Sequence, residues 1–410
     1  MKTGGRILCD MSDLMAFTSQ NSHPTGIQRV TIDVFQSMRA LSPDVVAVFY
    51  SSARRAFCRV DPDRLIGRDM DYITSLAPRR RTLWNRLRSL HFLRGSRVDL
   101  RQGDTLLVLG GNSQRRDRAL FRNRPRGVRM IWFCHDLISV AYPEFSFHTP
   151  RDDDAYRMWL NNALRHGDDI LCASRFVAGD LDSYAASQGL AARVSIVPLA
   201  HEFRAVDTGP LRDCVTRLRL EKTVLYVSTV GPRKNHLGLV KSWRRLAREV
   251  GDELPTLVLV GQGRDRGALA DYLLGAPDIA GKVVHLEEVS DAELTDLYRH
   301  CAFTVFPSLF EGWGLPVGES LWMGKPCVSS SLTSLPEVGG DFVVYADPLK
   351  EGEFDEALRR AIAGSFDALP PPRDRLRSWR QVCEDIMRVV VDPLPESGAH
   401  DRNLDAEEKP

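Results

Sequence analysis

The sequence predicts two doubly wound α/β domains, each Rossmann-like, facing each other across a cleft. Three observations point there. The chain has 410 residues, too many for one ordinary domain and enough for two of roughly 200. Short apolar runs alternate with amphipathic segments, and the alternation occurs twice. Several runs are continuously apolar, the pattern of strands covered on both faces.

In the first half the runs are Arg6–Cys9, Val45–Tyr50, Thr105–Leu109, Met130–Cys134, Ile170–Ala173 and Val194–Leu199. In the second they are Thr223–Val227, Thr256–Val260, Lys282–Leu286, Phe303–Phe306, Pro326–Ser329 and Phe342–Tyr345. Helical faces lie between them, as in Ile27, Val30, Val34 and Met38, or Leu237, Val240, Trp243 and Leu246–Ala247. The stretch Pro198–Pro210 reads as a linker, so the domains are expected over 1–203 and 204–372. A helix over 373–392, with Leu376, Trp379, Val382, Cys383 and Ile386 as its stripe, is placed to cross back to the first domain. The polar tail 393–410 has the composition of a disordered segment.

Hydrophobic content of 43% and charged content of 27% are those of a globular protein. The net charge of +1 hides an asymmetry. Residues 1–200 hold 29 Lys+Arg against 20 Asp+Glu, leaving 26 against 34 for the rest of the chain. A basic first half suits an anionic partner, or reflects a bias toward Arg. The eight cysteines are dispersed, without metal-ligand spacing, and most sit in apolar runs, as expected in a reducing compartment. The first residues lack a signal-peptide core, and no apolar run approaches the ~20 residues of a membrane span. A cytoplasmic location is expected, with the inner face of the cell membrane within reach.

Doubly wound sheets bind ligands beyond the carboxyl ends of their strands. The segment Phe306-Pro-Ser-Leu-Phe-Glu311-Gly-Trp-Gly-Leu-Pro316-Val-Gly-Glu319-Ser follows such a strand. Gly312 and Gly314 permit tight turns and close ligand approach. Pro316 suits the first turn of a helix and Gly324 its end. Free N–H groups at that helix start can meet an anion. Glu311 in the loop and Glu319 two turns on offer carboxylates to hydroxyl donors, which suits a hexose and a ribose with a diphosphate between.

Glu-x7-Glu in the context E-G-[FW]-G-L-P-x-x-E-[AS] resembles the signature of family 4, or "group 1", glycosyltransferases. The resemblance implies a GT-B fold, retention of anomeric configuration, and no metal or cofactor beyond the nucleotide-diphosphate sugar donor. It places Glu311 by the donor sugar and Glu319 on the nucleotide ribose. The backbone of Gly312, Trp313, Gly314 and Leu315 would line the diphosphate and sugar.

Ser228-Thr-Val-Gly-Pro-Arg233-Lys234-Asn235 follows the strand Thr223–Val227. Two cations there would neutralise a leaving nucleoside diphosphate, and Asn235 can cap the next helix. The stretch resembles the family's E-P-R-K-N loop, with Gly231 where Glu is common. Thr229 stands where many members carry a phosphate-binding Arg. Gly261 in a strand-end turn would help form the nucleotide pocket, and Val289 would lie by the base.

In the first half, Ile131-Trp-Phe-Cys-His135-Asp136 ends a strand. A lone His there can simply be satisfied by main chain. The resemblance to the family's HD motifs implies a donor-sugar contact for His135, with Asp136 orienting it or capping the next turn. Thr25-Gly26-Ile-Gln-Arg29-Val opens a helix and resembles transferases that build surface polysaccharides. Gly26 would let the backbone approach diphosphate or acceptor, and Arg29 would meet an acceptor phosphate or lie on the helix surface.

Residues 78–94 form a basic amphipathic stripe with Leu83, Trp84, Leu87 and Leu90 at helical spacing. It suits an anionic membrane surface bearing a lipid-linked acceptor, or an apolar face packed on its own domain. No nucleic-acid-binding motif is present. The overall pattern resembles mannosyltransferases that use GDP-mannose on a saccharide or polyprenyl-diphosphate-linked acceptor in polysaccharide biosynthesis. An epimerase or phosphorylase on the same fold, or a non-catalytic nucleotide-sugar-binding scaffold, remains open to the same residues.

Overall fold

The structure is a computed structural model. It describes residues 5–18, 24, 26–61, 95–111, 124–146, 150–206, 209–263 and 266–391. The basic stripe 78–94, Thr25 and the tail 393–410 lie outside the described residues.

The first domain is an eight-stranded sheet. Its parallel strands are β1 (Ile7–Asp10), β2 (Val45–Ser51), β5 (Thr105–Val108), β6 (Arg129–Cys134), β7 (Asp169–Cys172) and β8 (Val194–Ile196). The order across the sheet is β4-β3-β2-β1-β5-β6-β7-β8. At one side of the sheet, β3 (Ala56–Arg59) and the edge strand β4 (Arg97–Val98) pair antiparallel with their neighbours. Neither is legible in the sequence: four and two residues are too short to show a period. The run Val194–Leu199 is also strand only to Ile196, and Val197 and Leu199 are buried where the chain turns away.

The second sheet is wholly parallel: β9 (Thr223–Val227), β10 (Thr256–Val260), β11 (Val283–Leu286), β12 (Phe303–Phe306), β13 (Cys327–Ser330) and β14 (Val344–Ala346). Its order is β11-β10-β9-β12-β13-β14. In sequence terms that is third-second-first-fourth-fifth-sixth, the doubly wound nucleotide-binding order. The order reverses between β9 and β12, and ligands in such sheets bind beyond that reversal. The expected α/β class and two-sheet architecture are the ones observed.

The helices cover these sheets as their apolar spacing requires. In the first domain α1 (Ser12–Thr18) and α2 (Gly26–Leu41) precede β2, and α3 (Ile138–Ala141), α4 (Pro150–His166) and α5 (Arg175–Ser187) follow β6 and β7. Helix α2 buries Val30, Val34, Phe35 and Met38. In the second domain come α6 (Asp213–Leu218), α7 (His236–Val250), α8 (Arg266–Leu274), α9 (Asp291–His300), α10 (Leu315–Trp322), α11 (Leu335–Gly339) and α12 (Glu351–Ile362). Helix α7 buries Leu239, Val240, Trp243 and Leu246, each stabilising by about 1.5–3 kcal/mol relative to exposure. Helix α9 starts in a capping box, with Ser290 accepting from Glu293 N and Glu293 accepting from Ser290 N.

The last helix, α13 (Trp379–Val391), lies against α2 of the first domain, with Cys383 Sγ 3.3 Å from Val34 O. Its final carbonyls accept from Arg129, at 2.7 Å for Val390 and 3.0 Å for Val389. A guanidinium is favourable there because helix ends leave carbonyls without partners. The return crossing runs beside the outgoing linker. His201 N donates to Arg377 O at 2.8 Å, Arg377 Nε to Pro198 O at 2.7 Å, and Trp379 Nε1 to Glu202 O at 3.0 Å. All eight cysteines are free thiols, and only Cys214 is exposed. Among the described residues no helix is long and apolar enough to cross a membrane.

Candidate active site

The loops after β9 and β12 meet at the reversal of the second sheet. Pro232–Lys234 forms a single 3-10 turn after β9. Asn235 follows in the left-handed region at φ 57° and occupies the N-cap of α7, but its side chain makes no cap bond, unlike the expectation. Its main chain spends the cap position on reversing direction, which leaves Arg233 and Lys234 pointing into the site.

Glu311 meets them there and is buried. Lys234 Nζ donates to Glu311 Oε1, Arg233 Nη1 donates to Oε2 at 3.0 Å, and Ser308 Oγ donates to Oε1 at 2.6 Å. The loop itself is pinned: Glu311 N donates to Thr333 Oγ1 at 3.1 Å, and Ser334 Oγ donates to the carbonyls of Glu311 and Trp313. Burial alone would raise the Glu311 carboxyl, but Lys234 and Arg233 outweigh it and hold the group at about 2. That carboxylate therefore stabilises the fold above its ordinary value of 4.5, and the contribution is lost as pH falls from there through about 2.

Two cations share one carboxylate at contact distance. Burial, and then the Arg233 charge, lowers the Lys234 ammonium to about 8, although Glu311 pulls the other way. Arg233 stays charged, and Asp136 supports both cations from across the domain interface. An incoming dianion could replace the carboxylate on these donors without new desolvation. One expected outcome follows for the pH profile. Binding of an anion such as pyrophosphate, followed by calorimetry, should weaken by up to about tenfold per pH unit above about 8, as Lys234 loses its proton. Lys234→Arg should abolish that alkaline limb, because a guanidinium does not titrate there.

Helix α10 begins at Gly314, whose φ of 107° demands glycine, with Pro316 in its first turn. It ends at Gly324, φ 69°. Trp313 is buried between the two glycines and Leu315 is half-buried. One turn into the helix, Glu319 is nearly inaccessible. Tyr298 Oη donates to its Oε2 at 3.0 Å and Arg29 Nη2 to its Oε1 at 2.5 Å. Arg29 does not lie free on the surface of α2: it forms an interdomain ion pair with Glu319, each group offsetting the other's loss of water.

Across the interface, His135 Nε2 lies 2.7 Å from Leu109 O. A carbonyl only accepts, so the ring proton sits on Nε2. Burial lowers the imidazole's pKa and keeps it neutral. This is the main-chain satisfaction a lone histidine invites, and it orients the ring. Asp136 Oδ1 accepts from Ile138 N at 3.1 Å, so the carboxylate caps α3 rather than the His135 ring. The main chain of Gly312 lies directly on the His135 carbonyl.

The remaining expected residues are more dispersed. Gly261, φ 143°, packs against Ser228 O and beside Thr229 N, so the β9 and β10 loops touch. Thr229 is exposed at that edge. Val289 is half-buried and packs with the apolar cluster of Leu286 and Leu297. Gly26 opens α2, and a Cβ there would meet no atom within 4 Å. Sequence reasoning missed Ser308, Tyr298, Thr333 and Ser334. Ser308 alone carried a signal, three residues before Glu311 in the same turn.

Residues 221–363 match the family model for glycosyl transferases group 1. Over 229 residues the chain is 31% identical to O-antigen chain mannosyltransferase B of Escherichia coli, covering 54% of this chain and 58% of that protein. Over 278 residues it is 22% identical to the serotype-specific mannosyltransferase WbdA of Escherichia coli, covering 65% of this chain and 34% of the relative. The chain thus spans between about a third and three fifths of the lengths of these relatives. Among solved structures, sucrose-phosphate synthase from Thermosynechococcus elongatus superposes with a TM-score of 0.57 at 14% identity, covering 94% of each chain. Anabaena HepE in complex with UDP and glucose superposes with a TM-score of 0.56 at 15% identity, covering 95% of this chain and 100% of that one. These likenesses extend the GT-B fold to both domains. Residues 221–363 thus match the group 1 glycosyl transferase family, within a chain of GT-B architecture that resembles the O-antigen mannosyltransferases.

Proposed function

We propose that the chain is a retaining hexosyltransferase that moves mannose from GDP-mannose to a saccharide or polyprenyl-diphosphate-linked acceptor in polysaccharide biosynthesis. The observation that carries this reading is the buried group of Arg233, Lys234 and Glu311 at the strand-order reversal of the second sheet. On donor entry the diphosphate takes the two cations, and Glu311 is released to the sugar hydroxyls. As the glycosidic bond breaks, negative charge grows on the leaving phosphate, where Arg233 and Lys234 stabilise it. The acceptor hydroxyl enters on the same face and gives its proton to that phosphate. Two fixed cations supply the charge a metal would bring, so the reaction is expected to proceed in EDTA. The names of the mannosyltransferase relatives support the choice of sugar, and a lipid-linked acceptor would bring the protein to the inner face of the membrane.

A panel of GDP, UDP, ADP and dTDP tests the donor class. A ligand at about 100 times its Kd that binds only the folded state adds about 2.7 kcal/mol. GDP should therefore raise the melting temperature by several degrees and the other three by less. Preference for another diphosphate would replace mannose as the sugar. Indifference to all four would remove the nucleotide-sugar reading.

A further inference from the structure

We infer that Phe310 is a positioning residue, one that makes the placement of Glu311 depend on closure of the two domains. The inference rests on the reading that Glu311 acts in sugar transfer. Phe310 immediately precedes Glu311 in the second domain and is 2% exposed. Among the described residues, the rings packed on it all come from the first domain. Tyr142 lies at 4.4 Å between centroids, Phe176 edge-on at 5.5 Å, and Phe145 at 6.2 Å. Such pairs contribute beyond their buried area and have preferred geometry. Tyr142 is itself held by a hydrogen bond from its hydroxyl to Asp180 Oδ1 at 3.1 Å, one turn along α5 from Phe176.

Glu311 is therefore bracketed. On one side, Phe310 is seated in the first domain. On the other, Gly312 O accepts from Ser174 Oγ at 3.0 Å and its Cα lies on His135 O. A carboxylate from the second domain grips the same region: Glu337 accepts from Arg175 N at 2.8 Å and Phe176 N at 2.9 Å, where α5 begins. Arg233 completes the link, donating to both Phe310 O, at 2.8 Å, and Glu311 Oε2. The residue that contacts the donor sugar thus sits between two anchors that exist only when the domains are closed. Opening removes these first-domain anchors and leaves the loop held from one side only, by Thr333, Ser334 and the β9-loop cations of its own domain, so the fine placement of the carboxylate depends on closure.

Phe310→Ala, Phe310→Leu and Tyr142→Ala test this. GDP affinity, by calorimetry, should stay within about twofold in all three. GDP release from GDP-mannose with methyl α-mannoside should lose about 10- to 100-fold in kcat for Phe310→Ala, since a misplacement of about 1 Å can cost that much. Phe310→Leu should recover part of it, and Phe310→Ala/Tyr142→Ala should be no worse than Phe310→Ala alone. Hydrogen exchange should rise together in residues 308–314 and 174–177 of Phe310→Ala. Transfer within twofold of wild type, or an exchange rise confined to 308–314, would overturn the inference. Wild-type protein that neither binds GDP nor turns over GDP-mannose would instead defeat the reading on which it rests, and the exchange pattern would still decide whether Phe310 ties the loop to the first domain.

Discussion

Glu311→Gln should lose at least about 100-fold in sugar transfer while binding nucleoside diphosphate as well as, or more tightly than, the wild-type protein. The first half follows from position. Glu311 is the acidic group held at the strand-order reversal, and loss of one preorganised transition-state contact typically costs that much. The second half follows from competition. In the ligand-free cluster the carboxylate occupies Lys234 and Arg233, and an incoming diphosphate must displace it. Glutamine carries no charge and competes poorly. The variant also leaves two buried cations short of an anion, so it should melt earlier, and GDP should restore more stability to it than to wild type. Equal loss of transfer and of diphosphate binding would mean a collapsed site.

Gly312→Ala should be nearly as damaging, for a reason confined to the interface. A Cβ at this position would stand 1.8 Å from His135 O and 3.2 Å from the Asp136 Cβ. The clashing atom is a backbone carbonyl at the end of β6, so it cannot swing aside. Gly312 does not have a left-handed φ, and alanine therefore fits its own loop. The second domain should fold and bind GDP normally, while closure is blocked. An expected loss of about 100-fold in turnover, with a larger radius of gyration in solution, separates this from simple destabilisation. A compact, fully active Gly312→Ala would mean that the interdomain contact at His135 is not part of the working state.

The parts legible in the sequence were those set by local chemistry. Continuous apolar runs located the parallel strands, because strands buried on both faces need no alternation. Glu311, Arg233 and Lys234 were legible as charges placed after strands, where doubly wound sheets gather ligands. What was not legible depends on docking. The ion pair of Arg29 with Glu319 joins residues 290 positions apart, and no local pattern encodes it. Phe310 reads as one more apolar residue until the first-domain rings around it are known. The antiparallel strands β3 and β4 are too short for a period, and the conformation of Asn235 follows from the turn it closes rather than from its capping preference.

The most direct test is product analysis with GDP-mannose and a mannose-terminated acceptor, comparing wild-type protein with Glu311→Gln and reading the new linkage by NMR. The wild-type protein should release GDP matched by an α-mannoside, and the variant should do so at no more than about one hundredth of that rate. No transfer from any nucleotide sugar whose diphosphate stabilises the wild-type protein, or equal transfer by both proteins, would contradict this reading.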